Sequence, residues 1–260
     1  MLNHLAYKAR YGLEQCGWIV AQGVKRLGEG SLSAFSDEER LLNSRLSGYP
    51  PNHNYRVRRR EMLLSFKLHK RVPFFEKLYP QPLVSMLDIG CCRGCYVLRA
   101  AAMPQCRLAV GVDVHEPFIA ICRDAQKYMG ASNARFYVST LDKMAEDPAA
   151  FGGPFQTILL VGTYHYMYWG SKLSDNCHPN HRDILSLLAT LCTDRVVLSA
   201  RLELDELPDF VKPTAASSPA AASYNTRDFI KAAQEFFDVR PAGNLDEYPV
   251  YVLVRKGTQP

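Results

Sequence analysis

Asp88-Ile89-Gly90-Cys91-Cys92-Arg93-Gly94 carries more chemistry per residue than any other segment of the chain. It follows an apolar run over 84–89 that has the length of a buried strand, and it leads into a helical pattern over 96–103. An acid and two glycines at such a junction have a defined use. Gly90 lets the chain turn sharply, and Gly94 lets backbone approach a ligand with no Cβ in the way. The helix start behind them offers unsatisfied N–H groups to an anion or carboxylate. Asp113 comes 25 residues after Asp88, at the end of the next apolar run over 108–113. There an acid can accept both hydroxyls of a ribose.

A second group of reactive side chains follows a later strand pattern, in Gly162-Thr163-Tyr164-His165-Tyr166-Met167-Tyr168-Trp169-Gly170. An imidazole titrates near neutrality, so His165 can take a proton from a substrate hydroxyl. Tyr164, Tyr166, Tyr168 and Trp169 can wall a substrate pocket or attract a cation. A histidine packed without a catalytic role is the alternative. His178 and His181, with Asp175 and Asp183 nearby, suit zinc better than magnesium. The stretch 178–181 reads more simply as a loop entering a helix, so no metal is assigned and His181 is taken as a substrate contact. Cys92-x-x-Cys95 lacks a second pair at ligand spacing; its cysteines read as small residues packing the glycine loop.

These residues need elements to hold them. Strand patterns over 84–90, 108–113, 134–139, 155–161 and 195–202 alternate with helical patterns over 96–103, 117–129 and 181–191. Such alternation predicts a parallel sheet covered on both faces. A further helix is expected over 226–237, opened by a threonine cap. The last strands, at Val239 and over 250–255, have no helix between them and are expected to be antiparallel neighbours. The Ala/Ser/Pro-rich stretch over 213–223 is either a mobile lid or a plain loop. Upstream, residues 2–27 have the apolar spacing of an amphipathic helix. Ser36 with Glu39 signals a capping box, and the segment 55–79 is expected to be helical through Met62, Leu63, Phe66 and Leu68.

Charge divides along the same line. Residues 1–80 hold 14 Lys and Arg against 7 Asp and Glu, whereas residues 81–260 hold 17 against 19. The run Arg56-Val57-Arg58-Arg59-Arg60 can be a solvated face, a hold on an anionic substrate, or a track for a nucleic-acid backbone. The composition, 47% apolar and 22% charged, excludes a disordered or disulfide-stapled chain. Cys16, Cys106, Cys122, Cys177 and Cys192 sit singly in apolar patterns, as reduced buried thiols do. The start has neither the clean apolar run of a secretory signal nor a bilayer-spanning stretch. The expectation is a cytoplasmic protein, with contact to the inner face of a membrane through the first helix left open.

The glycine loop, the acid after the second strand and the strand order together resemble the class I S-adenosylmethionine (SAM)-dependent methyltransferases, over residues 83–257. The resemblance implies an α/β fold: a seven-stranded, mostly parallel Rossmann-like sheet with the last strand antiparallel, preceded here by a helical extension. The domains would be 1–82, a cap or dimer contact, and 83–260, binding SAM. It also implies that Asp88, Gly90, Cys92 and Gly94 hold the methionine end, Asp113 the ribose and Asp142 the adenine, with Thr140 as an alternative. Cys92 replaces the middle glycine of the usual D-x-G-x-G-x-G. His165 would be the catalytic base. The absence of an Asn-Pro-Pro-Tyr-type motif favours oxygen as the acceptor atom. The loop and the Gly162-to-Tyr166 segment are similar to bacterial enzymes that methylate sugars or polysaccharide ends, which implies a small-molecule or glycan acceptor. An RNA methyltransferase and a non-catalytic SAM-fold assembly protein are the alternatives, and a homodimer is left open.

Overall fold

The computed structural model describes residues 35–257, so the helix expected over 2–27 lies outside the described residues. The chain divides into two units, residues 1–70 and residues 71–260.

The first unit opens with α1 (Asp37–Arg45), started by the capping box: Ser36 Oγ accepts from the Glu39 N–H at 3.1 Å, and the Ser36 N–H donates to Glu39 Oε2 at 2.8 Å. The helix expected over Met62 and Leu63 is instead a hairpin. Strands β1 (Tyr55–Arg58) and β2 (Glu61–Leu64) pair antiparallel, with Arg58 opposite Glu61. Arg59 and Arg60 form the two-residue turn with φ of +50° and +63°. Two successive left-handed residues define the turn that suits strand twist, and Asn-Gly is its usual sequence. Glu39, itself buried, accepts the Arg59 N–H at 2.7 Å and so braces the turn. Asn43 ties α1 to β1 through both its amide atoms, at 2.7 and 3.0 Å from Val57 N and O. The basic run is therefore strand and turn, with Val57 buried between Arg56 and Arg58.

Helix α2 (Phe66–Glu76) carries the chain into the second unit. There the order is β3 (Ser85–Ile89), α3 (Cys95–Ala101), β4 (Leu108–Asp113), α4 (Glu116–Met129), β5 (Ala134–Val138), α5 (Leu141–Glu146), β6 (Phe155–Val161), α6 (Tyr164–Trp169), α7 (His181–Leu191), β7 (Cys192–Ser199), α8 (Lys212–Ala216), α9 (Thr226–Ala233), β8 (Phe237–Leu245) and β9 (Tyr248–Arg255). The seven strands lie in the order β5-β4-β3-β6-β7-β9-β8. All pairs through β7 are parallel, and β9 is antiparallel to both its neighbours. This is the expected Rossmann-like sheet. Its central strands are covered on both faces, so Leu87, Ile89, Val110, Val112, Ile158 and Leu160 are at most 4% exposed.

Local details differ from the sequence reading. The aromatic run over 164–169 forms a helix. The Ala/Ser/Pro stretch contains α8 and a 3-10 turn, Pro219–Ser223, and buries Ala215, so it is not a featureless loop. Asn225, not Thr226, caps α9, accepting from the Asp228 N–H at 2.9 Å. Cys177 is exposed against expectation, whereas Cys91, Cys92, Cys95, Cys106, Cys122 and Cys192 are buried. Among the described residues no helix is long and apolar enough to cross a membrane.

Connections leave β3 toward β4 on one side and return to β6 on the other. The carboxyl ends of β3 and β6 thus flank the topological switch point, where open α/β sheets bind ligands.

Candidate active site

The loop after β3 is fixed by backbone. The N–H groups of Gly90 and Cys91 both donate to Val112 O, at 2.8 and 2.9 Å, which clamps the turn to β4. Gly90 has φ +77°, and a Cβ on it would come within 2.4 Å of Thr163 Oγ1. Cys92 takes φ +50°, a left-handed conformation unusual for a residue with a side chain. Gly94, φ +73°, is the N-cap of α3. A Cβ there would strike the Phe136 ring at 2.7 Å and Cys122 Sγ at 3.0 Å. Gly94 therefore lets the loop sit down on β5 and α4.

Two acids stand at this end of the sheet. Asp113 Oδ2 accepts the Cys92 N–H at 3.0 Å, and its Oδ1 accepts the His115 N–H at 2.9 Å. Burial raises its pKa, and those backbone hydrogen bonds oppose the rise. Each oxygen keeps a lone pair for a hydroxyl donor. Asp88 is 2% exposed, and its Oδ2 has no hydrogen-bond partner. Burial first, and then the Asp113 charge, push its pKa up to about 8. A buried carboxylate with an unmatched oxygen is costly unless a cation or donor completes it. These groups fit a ligand with an ammonium at one end and a ribose in the middle, which SAM has.

Asp142 lies in the first turn of α5, after Thr140, whose hydroxyl caps that helix. Its Oδ1 is 2.7 Å from His178 Nε2, and its Oδ2 is buried with no partner. Thr140 as cap leaves Asp142 the better match for an adenine contact. His178 is itself held by its N–H donating to Met167 O at 2.7 Å.

Beyond β6, the Gly162 N–H donates to Ser199 O at 2.8 Å, which aligns the ends of β6 and β7. The aromatics of α6 then separate by helical phase. Tyr164 is fully buried and shares a 2.8 Å hydrogen bond between its hydroxyl and His181 Nδ1, with the rings stacked at 5.7 Å. Tyr168 is also fully buried, and its hydroxyl lies 3.0 Å from Ser223 Oγ. Trp169 packs against Tyr168 and Tyr224. These four residues belong to an interior aromatic cluster with Phe229 and Tyr224, in which Trp169 Nε1 and His181 Nε2 are buried without a partner. Burial lowers the His181 pKa to about 4.

His165 and Tyr166 leave that cluster. His165 is 2% exposed, neither ring nitrogen has a partner, and its ring lies 4.0 Å from that of Tyr166. Burial and then the Arg201 charge lower its pKa to about 3, so the imidazole is neutral near pH 7 and, with Arg201 uncompensated, only a weak base. Tyr166 stacks on the half-exposed Phe210 at 6.1 Å. The sequence reading missed Arg201 and Phe210. The available signal for Arg201 was a cation directly after the apolar strand β7, at the ligand-bearing end of the sheet.

No protein-family model matches the chain, and no curated sequence does. Solved structures do resemble it. EvdMO1 superposes with TM-score 0.57 at 14% identity, covering 86% of this chain and 49% of that one. The bifunctional kinase-methyltransferase WbdD gives 0.53 at 19% identity, covering 72% and 39%; the chain thus spans about two fifths of that protein. The N-methyltransferase NodS from Bradyrhizobium japonicum WM9, in complex with S-adenosyl-L-homocysteine, gives 0.50 at 13% identity, covering 86% and 100%. With the strand order, the inverted last strand and the loop that joins Asp88 to Asp113, these likenesses show that the chain has the fold of the class I SAM-dependent methyltransferases.

Proposed function

We infer that the chain transfers a methyl group from SAM to a hydroxyl of a small-molecule or glycan acceptor. The observation that carries this is the pair of acids at the switch point: Asp113, aligned by two backbone N–H groups, and Asp88, buried with one oxygen unmatched. Two structural neighbours, a kinase-methyltransferase and an N-methyltransferase with bound S-adenosyl-L-homocysteine, support methyl transfer from SAM, and the hydroxyl as acceptor rests on the sequence.

When bound, SAM supplies an electrophilic methyl group on a sulfonium centre. Asp88 would accept from its ammonium, Asp113 from its ribose hydroxyls and Asp142 Oδ2 from its adenine. Gly90 and Cys92 shape the turn between the first two acids. His165 would accept the acceptor hydroxyl's proton as the oxygen attacks, and most of the rate would come from alignment. Tyr166 and Phe210 would form an apolar wall beside the acceptor.

Isothermal titration with S-adenosylhomocysteine tests the cofactor half. Wild type should bind, and Asp113→Ala should bind at least about 100-fold more weakly, because hydrogen bonds to a charged group contribute about 1.5–3 kcal/mol each. No binding, or binding indifferent to Asp113, would sink the enzyme reading and favour an assembly protein. Labelled methyl transfer to cell fractions tests the acceptor half: an oxygen-linked product in small-molecule or glycan fractions supports it, and a product in RNA overturns it. His165→Ala should lower turnover by about 10²-fold or more.

A further inference from the structure

We propose that Arg201 is the binding residue for an anionic group on the methyl acceptor, a phosphate ester or a carboxylate, seated beside His165. This rests on the methyl-transfer reading above and names the acceptor's chemical class. Arg201 comes two residues after β7, and His165 four after β6. Val161 pairs with Ser199 at the ends of these two parallel strands, so both side chains start from the ligand-bearing edge.

The guanidinium is half-buried and makes no ion pair among the described residues. It lies over the Tyr248 ring at 4.6 Å and gives one hydrogen bond, from Nη1 to Glu206 O at 3.2 Å. The arginine backbone is pinned from the other side, its carbonyl accepting the Tyr224 hydroxyl at 2.5 Å. Of the three acids over 203–206, two are turned to backbone: Glu206 Oε2 accepts from the Leu202 and Glu203 N–H groups, and Glu203 Oε1 from the Thr226 N–H. An aromatic face orients the guanidinium without neutralising it, leaving donors for a planar carboxylate or a phosphate. The second observation is His165 itself, 2% exposed with both ring nitrogens unmatched. A cation and an unsatisfied imidazole that both follow the paired ends of β6 and β7 indicate a ligand that is both anionic and a hydrogen-bond donor. Neutralising Arg201 would also relieve the charge that helps hold His165 unprotonated, so the acceptor would make its own base stronger.

The test uses the full chain saturated with S-adenosylhomocysteine, titrated with inorganic phosphate and separately with acetate. The ring resonances of His165, assigned by their loss in His165→Gln, provide the readout. Phosphate or acetate should shift them saturably in the millimolar range. Arg201→Gln should weaken this at least tenfold and Arg201→Lys less, both binding S-adenosylhomocysteine within twofold of wild type. Stronger phosphate points to a phosphate ester, and stronger acetate to a carboxylate. No saturable shift in wild type, or an equal one in Arg201→Gln, overturns the proposal. If Arg201→Gln does not fold, an Arg201→Lys response identical to wild type in affinity and shift overturns it. Arg201-dependent anion binding in a protein that never binds S-adenosylhomocysteine would overturn the methyltransferase reading and leave the anion site standing.

Discussion

The loop after β3 and the helix after β6 face the same end of the sheet but are specified in different ways. After β3 the backbone does the positioning: two N–H groups on Val112 O, one on Asp113, and glycines where φ is positive. After β6 the backbone is an ordinary helix, and its phase decides which ring goes where. Tyr164 and Tyr168, four apart, go inward, whereas Tyr166 meets Phe210 at the surface. Residues four apart share a helix face, so one register governs the whole set. Backbone sites announce themselves through glycine and acid spacing; helix-phase sites require knowing that there is a helix.

The two regions should also respond oppositely to acid. Asp88 has a folded pKa near 8, far above that of an unfolded aspartate, so the stability tied to its proton is full below pH 4 and lost as pH rises toward 8. His165 and His181 have folded values near 3 and 4, so their contribution is full above about 6.5 and lost as pH falls toward those values. The largest effect is then expected for Asp88→Asn. Without ligand at pH 7.5 it should gain on the order of 3 kcal/mol of stability, while binding S-adenosylhomocysteine at least tenfold more weakly. Below pH 6 the variant should show the acid loss from the two histidines without the opposing contribution of Asp88. Denaturant titrations from pH 4.5 to 8.5 would check this; a variant no more stable than wild type at pH 7.5 would mean that Asp88 is already satisfied.

An intermediate effect separates packing from binding within the aromatic run. Tyr164→Phe leaves His181 Nδ1 buried without its partner and should cost about 1–2 kcal/mol, with acceptor KM unchanged. Phe210→Ala removes a half-exposed ring and should cost less than about 0.5 kcal/mol while raising acceptor KM. The reverse pattern would return Tyr164 to the acceptor pocket.

The same contrast explains what the sequence made legible. The sheet, Asp88 and Asp113 were readable because buried parallel strands are continuous apolar runs and the turn between them needs glycine. The β1–β2 hairpin was not readable, because Arg59-Arg60 occupies a turn that ordinarily declares itself with Asn-Gly. The run over 164–169 has aromatic residues at most positions and therefore no visible period, although the fold resolves it into an inward and an outward face. Arg201 was passed over for a different reason. Its meaning depends on following a strand whose end pairs with the one before His165, which no linear spacing encodes.

The smallest expected effect tests how far backbone dictates the loop after β3. Cys92 has φ +50° where glycine would be unstrained, so Cys92→Gly relieves about 1 kcal/mol of left-handed strain. Against that, glycine adds freedom to the unfolded chain, a loss of about 0.4–1 kcal/mol. It also gives up a thiol that is 5% exposed and lies 3.7 Å from Arg93 Nη1. The opposed contributions should leave stability within about 1 kcal/mol of wild type, and the N–H to Asp113 remains in place. S-adenosylhomocysteine affinity should therefore stay within a few-fold, because it is the amide and not the thiol that orients the acid. A loss of stability above about 3 kcal/mol would show that this loop, like the helix after β6, is held by side chains, and the distinction between the two regions would fail at the position where the chain departs from the usual glycine pattern.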